Sequence, residues 1–141
     1  MGRYNIMIRI PAKKFSNLIM IDMFFWNLNS QKYSKALIAV DTGAITTVIS
    51  SEVLHKLGYD LTTFKIEKIR TASKIEEVGY GKLQKLKLGD IEINDIEIYS
   101  YEFPEDTFYA DGLLGLNVLT KFDVNFLFSQ NILEFTPRKD I

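Results

Sequence analysis

The chain has 141 residues, 47% of them hydrophobic, which suffices for one domain with a real core and is too short for two substantial ones. Its 17 basic and 18 acidic residues leave a net charge of -1, so no single-sign field points to nucleic acid or a membrane surface. Cysteine is absent and histidine occurs once, which removes disulfides, thiolate catalysis and imidazole metal clusters from consideration.

Taken from the N-terminus, residues 1–14 hold no apolar stretch of signal-peptide length, and Ile6 stands where a myristoylation motif wants Ser or Thr. The densest apolar run, Leu18 to Trp26, is interrupted by Asp22 and is about half of the ~20 residues a spanning helix needs. A soluble cytoplasmic protein is the expectation. Leu18 to Trp26 and Ala36 to Val40 read as strands buried on both faces, joined by a polar connection from Asn27 to Lys35. A further strand spans Thr46 to Ile49. Ser50 or Ser51 then caps a short helix, Glu52 to Leu57, which Gly58 stops; His55 on it reads as a solvated residue. Lys65 to Arg70, Leu86 to Leu88, Ile91 to Ile93 and Ile96 to Ile98 alternate apolar with polar, and Gly89-Asp90 supplies a hairpin turn. At Asn94-Asp95 the alternation slips by one position, which predicts a bulge or tight turn that re-aims the strand. A second short helix is expected over Asn117 to Phe122. The last hairpin runs from Asp123 to Phe128, through Ser129-Gln130-Asn131, to Ile132 to Thr136, with Pro137 closing it. The sum is a single, almost all-β domain over residues 1–141.

One carboxylate breaks this pattern. The apolar strand Ala36 to Val40 runs directly into Asp41-Thr42-Gly43-Ala44. An Asx-type turn accounts for such a tripeptide, with Asp41 bonding its own backbone and Gly43 free to take positive φ. A second element downstream argues for more: Asp111-Gly112-Leu113-Leu114-Gly115, where two large apolar residues lead into a glycine and a short helix.

Asp41-Thr42-Gly43-Ala44 after an apolar strand, a hairpin in mid-chain and Leu113-Leu114-Gly115 before a short helix together resemble the retropepsin-like aspartic proteases, single-domain relatives of pepsin. The resemblance covers roughly Ile19 to Phe135. It implies a closed β-barrel-like domain with a flap hairpin and one or two short helices. It also implies that the apolar-apolar-Gly strand threads through the loop bearing the aspartate. Peptide hydrolysis without metal or covalent nucleophile needs a base for water and an acid for the departing group, which two carboxylates sharing one proton supply. The chain holds only one Asp-Thr-Gly; Asp22, Asp60, Asp90, Asp95, Asp106, Asp111, Asp123 and Asp140 lack that context. The second carboxylate then comes from a second copy across a twofold axis, so the resemblance implies a homodimer acting on extended polypeptide, with no cofactor, metal, nucleic acid or membrane.

By the same resemblance Asp41 is catalytic, the Thr42 hydroxyl bonds across the dimer axis, Gly43 lets backbone approach water and substrate, and Ala44 leaves room beside it. Gly115 lets its strand pass beneath the Asp41 loop. The expected flap runs from Lys65 through Thr71-Ala72-Ser73-Lys74 and back along Ile75 to Gly79, so Thr71, Ala72, Ser73 and Lys74 are expected to contact substrate. Tyr80 invites comparison with a pepsin flap tyrosine but lies past the turn and reads as packing. Viral members pair an acid after Asp-Thr-Gly-Ala with an arginine after the second motif's glycine; here Ile45 and Leu116 stand in those places, and a hydrophobic contact is expected instead. Residues 1–17 form an extension in which Tyr4 to Ile10 is expected to pack at the dimer interface or, as the weaker alternative, to lie over the cleft. Phe24-Phe25-Trp26 reads as core or interface, and Tyr99, Tyr101, Phe103, Phe108 and Tyr109 as packing with some subsite walls. The alternative function is a retropepsin-like dimer that serves as an interaction scaffold and cleaves nothing; the persistence of Asp41 favours the enzyme.

Overall fold

The computed structural model describes residues 6–70, 72–104 and 110–139. Strands dominate because the sequence alternates. They are β1 (Ile8–Pro11), β2 (Lys13–Phe15), β3 (Leu18–Asn27), β4 (Lys32–Val40), β5 (Thr47–Ser50), β6 (Lys65–Arg70), β7 (Ile75–Leu88), β8 (Ile91–Tyr101), β9 (Gly112–Leu114), β10 (Phe122–Leu127) and β11 (Ile132–Pro137). Two short helices interrupt them, α1 (Ser51–Lys56) and α2 (Leu116–Leu119).

The larger sheet has the order β2-β3-β4-β9-β5-β8-β7-β6, and an added pairing of β3 with β7 through Phe24↔Lys87 and Phe25↔Leu86 closes it on itself. The expected barrel-like closure is therefore present. Its interior is filled by Ile21, Met23, Phe25, Ile38, Ile49, Leu83, Leu86 and Ile98, all at most 1% exposed. A second sheet, β1-β11-β10, lays Leu133 and Phe135 against the same core.

Local signals set several boundaries. The Ser50 hydroxyl accepts from Val53 N at the start of α1, and Gly58 takes φ 92 just beyond its end, a conformation that favours glycine. His55 is exposed there, as expected. Gly89 turns the β7–β8 hairpin at φ 58, and Asn131 turns the last one at φ 52.

Four expectations need correction. The connection after β3 is shorter than Asn27 to Lys35, since β4 begins at Lys32: Asn27 Oδ1 accepts from the N–H groups of Asn29 and Ser30, and the Trp26 and Tyr33 rings meet edge to face at 5.1 Å. β3 is not buried on both faces throughout, because Asp22 bonds Lys13 and Phe24 is exposed. The slip at Asn94-Asp95 inserts no extra residue and turns no corner. β7 slips in step with β8, so Leu83↔Ile96 and Leu86↔Ile93 keep one register; Asp95 takes φ 53, and Gln84 N–H donates to Tyr59 Oη at 2.7 Å. The second helix is Leu116–Leu119 rather than Asn117 to Phe122, because Phe122 pairs with Pro137 and packs on Phe135 as the start of β10.

The N-terminal strand was expected within Tyr4 to Ile10. Tyr4 lies outside the described residues, while β1 pairs with β11 in register Ile8↔Phe135 to Pro11↔Ile132. At its centre Arg9 meets Glu134 at 2.9 Å, and this clamp leaves Glu134 only 8% exposed. Among the described residues no helix is long and apolar enough to cross a membrane.

Candidate active site

The loop bearing Asp41 is held by a strand from the far end of the sequence. β9 lies between β4 and β5, parallel to β4 (Ala39↔Leu113, Val40↔Leu114) and antiparallel to β5 (Val48↔Leu113). It thereby joins the two strands that enter and leave the loop. Asp41 N–H donates to Leu114 O at 3.0 Å, Leu116 N–H to Ala44 O at 2.8 Å, and Asn117 N–H to Ile45 O at 3.1 Å. The expected threading of Leu113-Leu114-Gly115 through the aspartate loop is what these bonds describe.

Gly115 is needed there for space. A Cβ on it would lie 2.7 Å from Thr46 C, 2.8 Å from Ala44 O and 2.9 Å from Thr46 O, all backbone atoms. Gly43 is tight for a different reason: its Cβ would sit 3.2 Å from Asp41 Oδ1. That oxygen accepts the Gly43 N–H at 2.9 Å, the Asx-type bond of a turn, so the Asp41 part of the local reading holds alongside the larger one, while Gly43 does not take the positive φ that reading allowed it. Asp41 is half-buried, and its other oxygen takes no side-chain or backbone hydrogen bond among the described residues.

Two residues that sequence reasoning passed over complete the clamp. Thr47, 1% exposed, accepts from Gly115 N at 3.0 Å and donates to Asn117 Oδ1 at 2.8 Å. Asn117 Oδ1 also takes Thr47 N–H at 2.9 Å, and its Nδ2 reaches Glu97 O at 2.7 Å. The only advance signal was a threonine at an inward position of an apolar strand and an asparagine in the first turn of α2. Asp111 ties the same region together: its Oδ2 accepts Leu37 N at 2.9 Å, and its carbonyl accepts Ser50 N at 2.9 Å.

The sheet register links this loop to the mid-chain hairpin. Ala39, Leu113, Val48, Tyr99, Tyr80 and Lys65 stand opposite one another across β4, β9, β5, β8, β7 and β6. Ala39 and Leu113 pack in a small apolar cluster with Met20, Leu37 and Ala110, separate from the barrel core. Alternation puts Asp41, two residues beyond Ala39, on this same face. Tyr80 stands at the base of the β6–β7 hairpin, its ring 5.7 Å from that of Tyr99, which agrees with packing. Its bond to Glu97 and then burial push the Tyr80 phenol up to about 12. Tyr101 donates to Glu76 at 2.8 Å and meets Phe103 edge to face at 5.1 Å.

Asp41, Thr42, Gly43 and Ala44 thus share one clamped loop. Ala72, Ser73 and Lys74 sit at the turn of the β6–β7 hairpin, whose arms pair from Lys65↔Tyr80 to Arg70↔Ile75; Thr71 lies outside the described residues, as do Phe108 and Tyr109. Ile45 is 78% exposed, so within one chain it is not buried against Leu116, and its carbonyl accepts the Asn117 N–H of α2 at 3.1 Å. Of Phe24-Phe25-Trp26 only Phe25 is core; Trp26 is capped by Lys85 Nζ, 3.9 Å from its ring centroid.

Residues 28–121 match the family described as "gag-polyprotein putative aspartyl protease". No curated protein sequence matches the chain. Among solved structures, a retropepsin-like aspartic protease from Rickettsia conorii is similar at 25% identity with a TM-score of 0.67, covering 92% of this chain and 89% of that one. The retroviral protease-like domain of Ddi1 from Leishmania major shares the fold at 15% identity and a TM-score of 0.54, over 88% and 98% of the two chains. With the family match spanning most of its length and the Asp41 loop threaded by β9, the chain belongs to the retropepsin-like aspartic protease family.

Proposed function

We propose that the protein is an aspartic endopeptidase, active as a homodimer in which the two Asp41 carboxylates face each other across a twofold axis. The observation that carries this reading is the Asp41 loop itself. It is fixed from both flanks by β9 and α2, yet leaves one carboxylate oxygen without a hydrogen bond among the described residues. A carboxylate needed only for a turn requires no such scaffold.

Two such carboxylates about 3 Å apart share one proton, since both cannot ionise together. The ionised member takes a proton from a water held between them, and that water attacks the peptide carbonyl carbon. The protonated member gives its proton to the carbonyl oxygen, producing a tetrahedral diol. Collapse of the diol breaks the C–N bond: the ionised carboxylate takes a proton from a diol hydroxyl while the protonated one gives its proton to the amine nitrogen, so the dyad again holds one proton. Thr42, next to Asp41, holds the paired loops together, and Gly43 and Ala44 leave room for substrate backbone. Ala72, Ser73 and Lys74 close over the substrate from the hairpin turn.

The test is Asp41→Asn. The variant is expected to stay a folded dimer and to lose cleavage of an unstructured polypeptide by about 10³-fold or more. Cleavage persisting in it sinks the assignment, as does wild-type protein that is dimeric yet cleaves no member of a diverse peptide library.

A further inference from the structure

The mid-chain hairpin is joined to the body of the domain by little backbone. β6 is the last strand of the larger sheet and pairs only with β7. β7 pairs with β8 from Gly79↔Ser100 to Leu88↔Ile91, so its first residues, Ile75 to Val78, lean on β6 alone. β8 continues past that point with Tyr101 paired to Ser50 of β5. Lys65 to Arg70 and Ile75 to Val78 therefore form an arm that leaves the sheet at Gly79. At its root the Phe64 ring lies on bare backbone: a Cβ on Gly81 would stand 2.8 to 2.9 Å from three ring carbons, and one on Gly79 3.3 Å from Phe64 Cβ. Beyond the root, one side-chain bond spans the gap. Tyr101 Oη donates to Glu76 Oε1 at 2.8 Å, and Lys74 Nζ lies 3.5 Å from the same oxygen. The Glu76 side chain is only 18% exposed, so water competes weakly for it. The same bond, ahead of burial, holds the Tyr101 phenol above its ordinary value.

We infer that Tyr101 and Glu76 are positioning residues: their hydrogen bond ties the β6–β7 arm to β8, and the arm swings about Gly79 to Gly81 when that bond opens. This rests on the protease reading and adds to it the contact that sets how the arm meets a substrate. Three observations carry it. The arm has no backbone pairing to the body past Gly79↔Ser100, so a side-chain bond at Glu76 decides where it rests. Two glycines in three residues leave β7 without interlocking side chains at the root, the place where a strand bends. Finally, alternation sets Glu76, Val78 and Tyr80 on one face of β7, and Tyr80 stands in the row that crosses the sheet to Ala39. The tie is thus on the Asp41 side of the arm. Neither residue touches the reacting atoms. Holding the arm in place lowers the cost of ordering it over a bound peptide, so the tie acts on binding and leaves the chemical step alone.

Tyr101→Phe removes the hydroxyl and keeps the ring that meets Phe103. Amide hydrogen exchange is followed over the full-length chain, alongside steady-state cleavage of one peptide. Amides of the arm are expected to exchange about 5- to 20-fold faster while those of β3 and β4 keep their rates, and KM is expected to rise by a similar factor with kcat within about twofold of wild type. Glu76→Gln, which still accepts from the phenol, is expected to fall between wild type and Tyr101→Phe. Adding Glu76→Ala to Tyr101→Phe is expected to change little more, because the bond is already gone. Unchanged arm exchange in Tyr101→Phe overturns the tie, and so does exchange quickened equally throughout the chain. Faster arm exchange with KM unchanged overturns the positioning role while leaving the Asp41 chemistry standing. Faster arm exchange in protein that cleaves no peptide supports the tie and refutes the protease.

Discussion

Replacing Gly115 by alanine isolates the closeness of β9 to the Asp41 loop from every other property of glycine. Gly115 has φ -96 and ψ -178, extended backbone open to any residue, so alanine carries no dihedral penalty. Whatever the substitution costs arises from overlap. The added methyl would stand 2.7 to 2.9 Å from Thr46 C, Thr46 O and Ala44 O, and none of these can rotate away as a side chain would. Overpacking that side chains can absorb costs about 1–3 kcal/mol. Here backbone must separate, which also stretches Leu116 N to Ala44 O, Asn117 N to Ile45 O and Gly115 N to Thr47 Oγ1, each worth about 0.5–1.5 kcal/mol. A loss of roughly 3–5 kcal/mol follows, and for a domain of this size that lowers Tm by ~10 °C or more. Reversible urea or thermal unfolding measures it. Gly43→Ala is the comparison, because its methyl would touch only Asp41 Oδ1 at 3.2 Å. That variant is expected to lose less than about 1 kcal/mol of stability while losing cleavage, since the displaced group is the carboxylate itself. Gly115→Ala unfolding within about 1 kcal/mol of wild type would refute the idea that β9 clamps the loop by contact.

Thr47→Val removes one hydroxyl that serves Gly115 N and Asn117 Oδ1 in a buried position. A loss of about 2–3 kcal/mol is expected, partly restored by Thr47→Ser, and a neutral Thr47→Val in denaturant unfolding contradicts the network's role. Arg9→Ala leaves the Glu134 carboxylate buried beside Asn125 alone; since the Arg9 side chain is itself 56% exposed, the expected cost is only about 1–2 kcal/mol, read as a lower urea midpoint. Tyr33 is pushed up to about 12, first by burial and then by its bond to Glu92, and Tyr80 to about 12 chiefly by Glu97. Their protonated forms are favoured in the folded state, so this contribution is whole below pH ~10 and is lost as pH rises from ~10 to ~12. Absorbance at phenolate wavelengths should show at least these two tyrosines titrating about two pH units late and shifting to ~10 on unfolding, with Tyr59 and Tyr101 also raised; a single step near 10 in the folded protein contradicts the Glu92 and Glu97 bonds.

The sequence determined the local structure. Period-2 alternation marked β6 to the residue, and Ser50, Gly58, Gly89 and Asn131 marked caps and turns, because each acts through its own backbone or its nearest neighbours. It also gave the candidate site as far as Asp41-Thr42-Gly43-Ala44 and Leu113-Leu114-Gly115, since both are contiguous motifs. What lay beyond it was pairing between distant segments. Alternation says which face of a strand is wet but not which strand lies beside it. Only the folded sheet sets β9 between β4 and β5, closes β3 onto β7 and lays β1 on β11. The slip at Asn94-Asp95 shows the limit clearly: read in one strand it implies a bulge, but β7 slips in step and the register survives. Thr47 and Asn117 are 70 positions apart, and each looks ordinary alone. Their role, like that of the space beneath Gly115, exists only where tertiary packing brings three stretches of backbone within hydrogen-bonding distance.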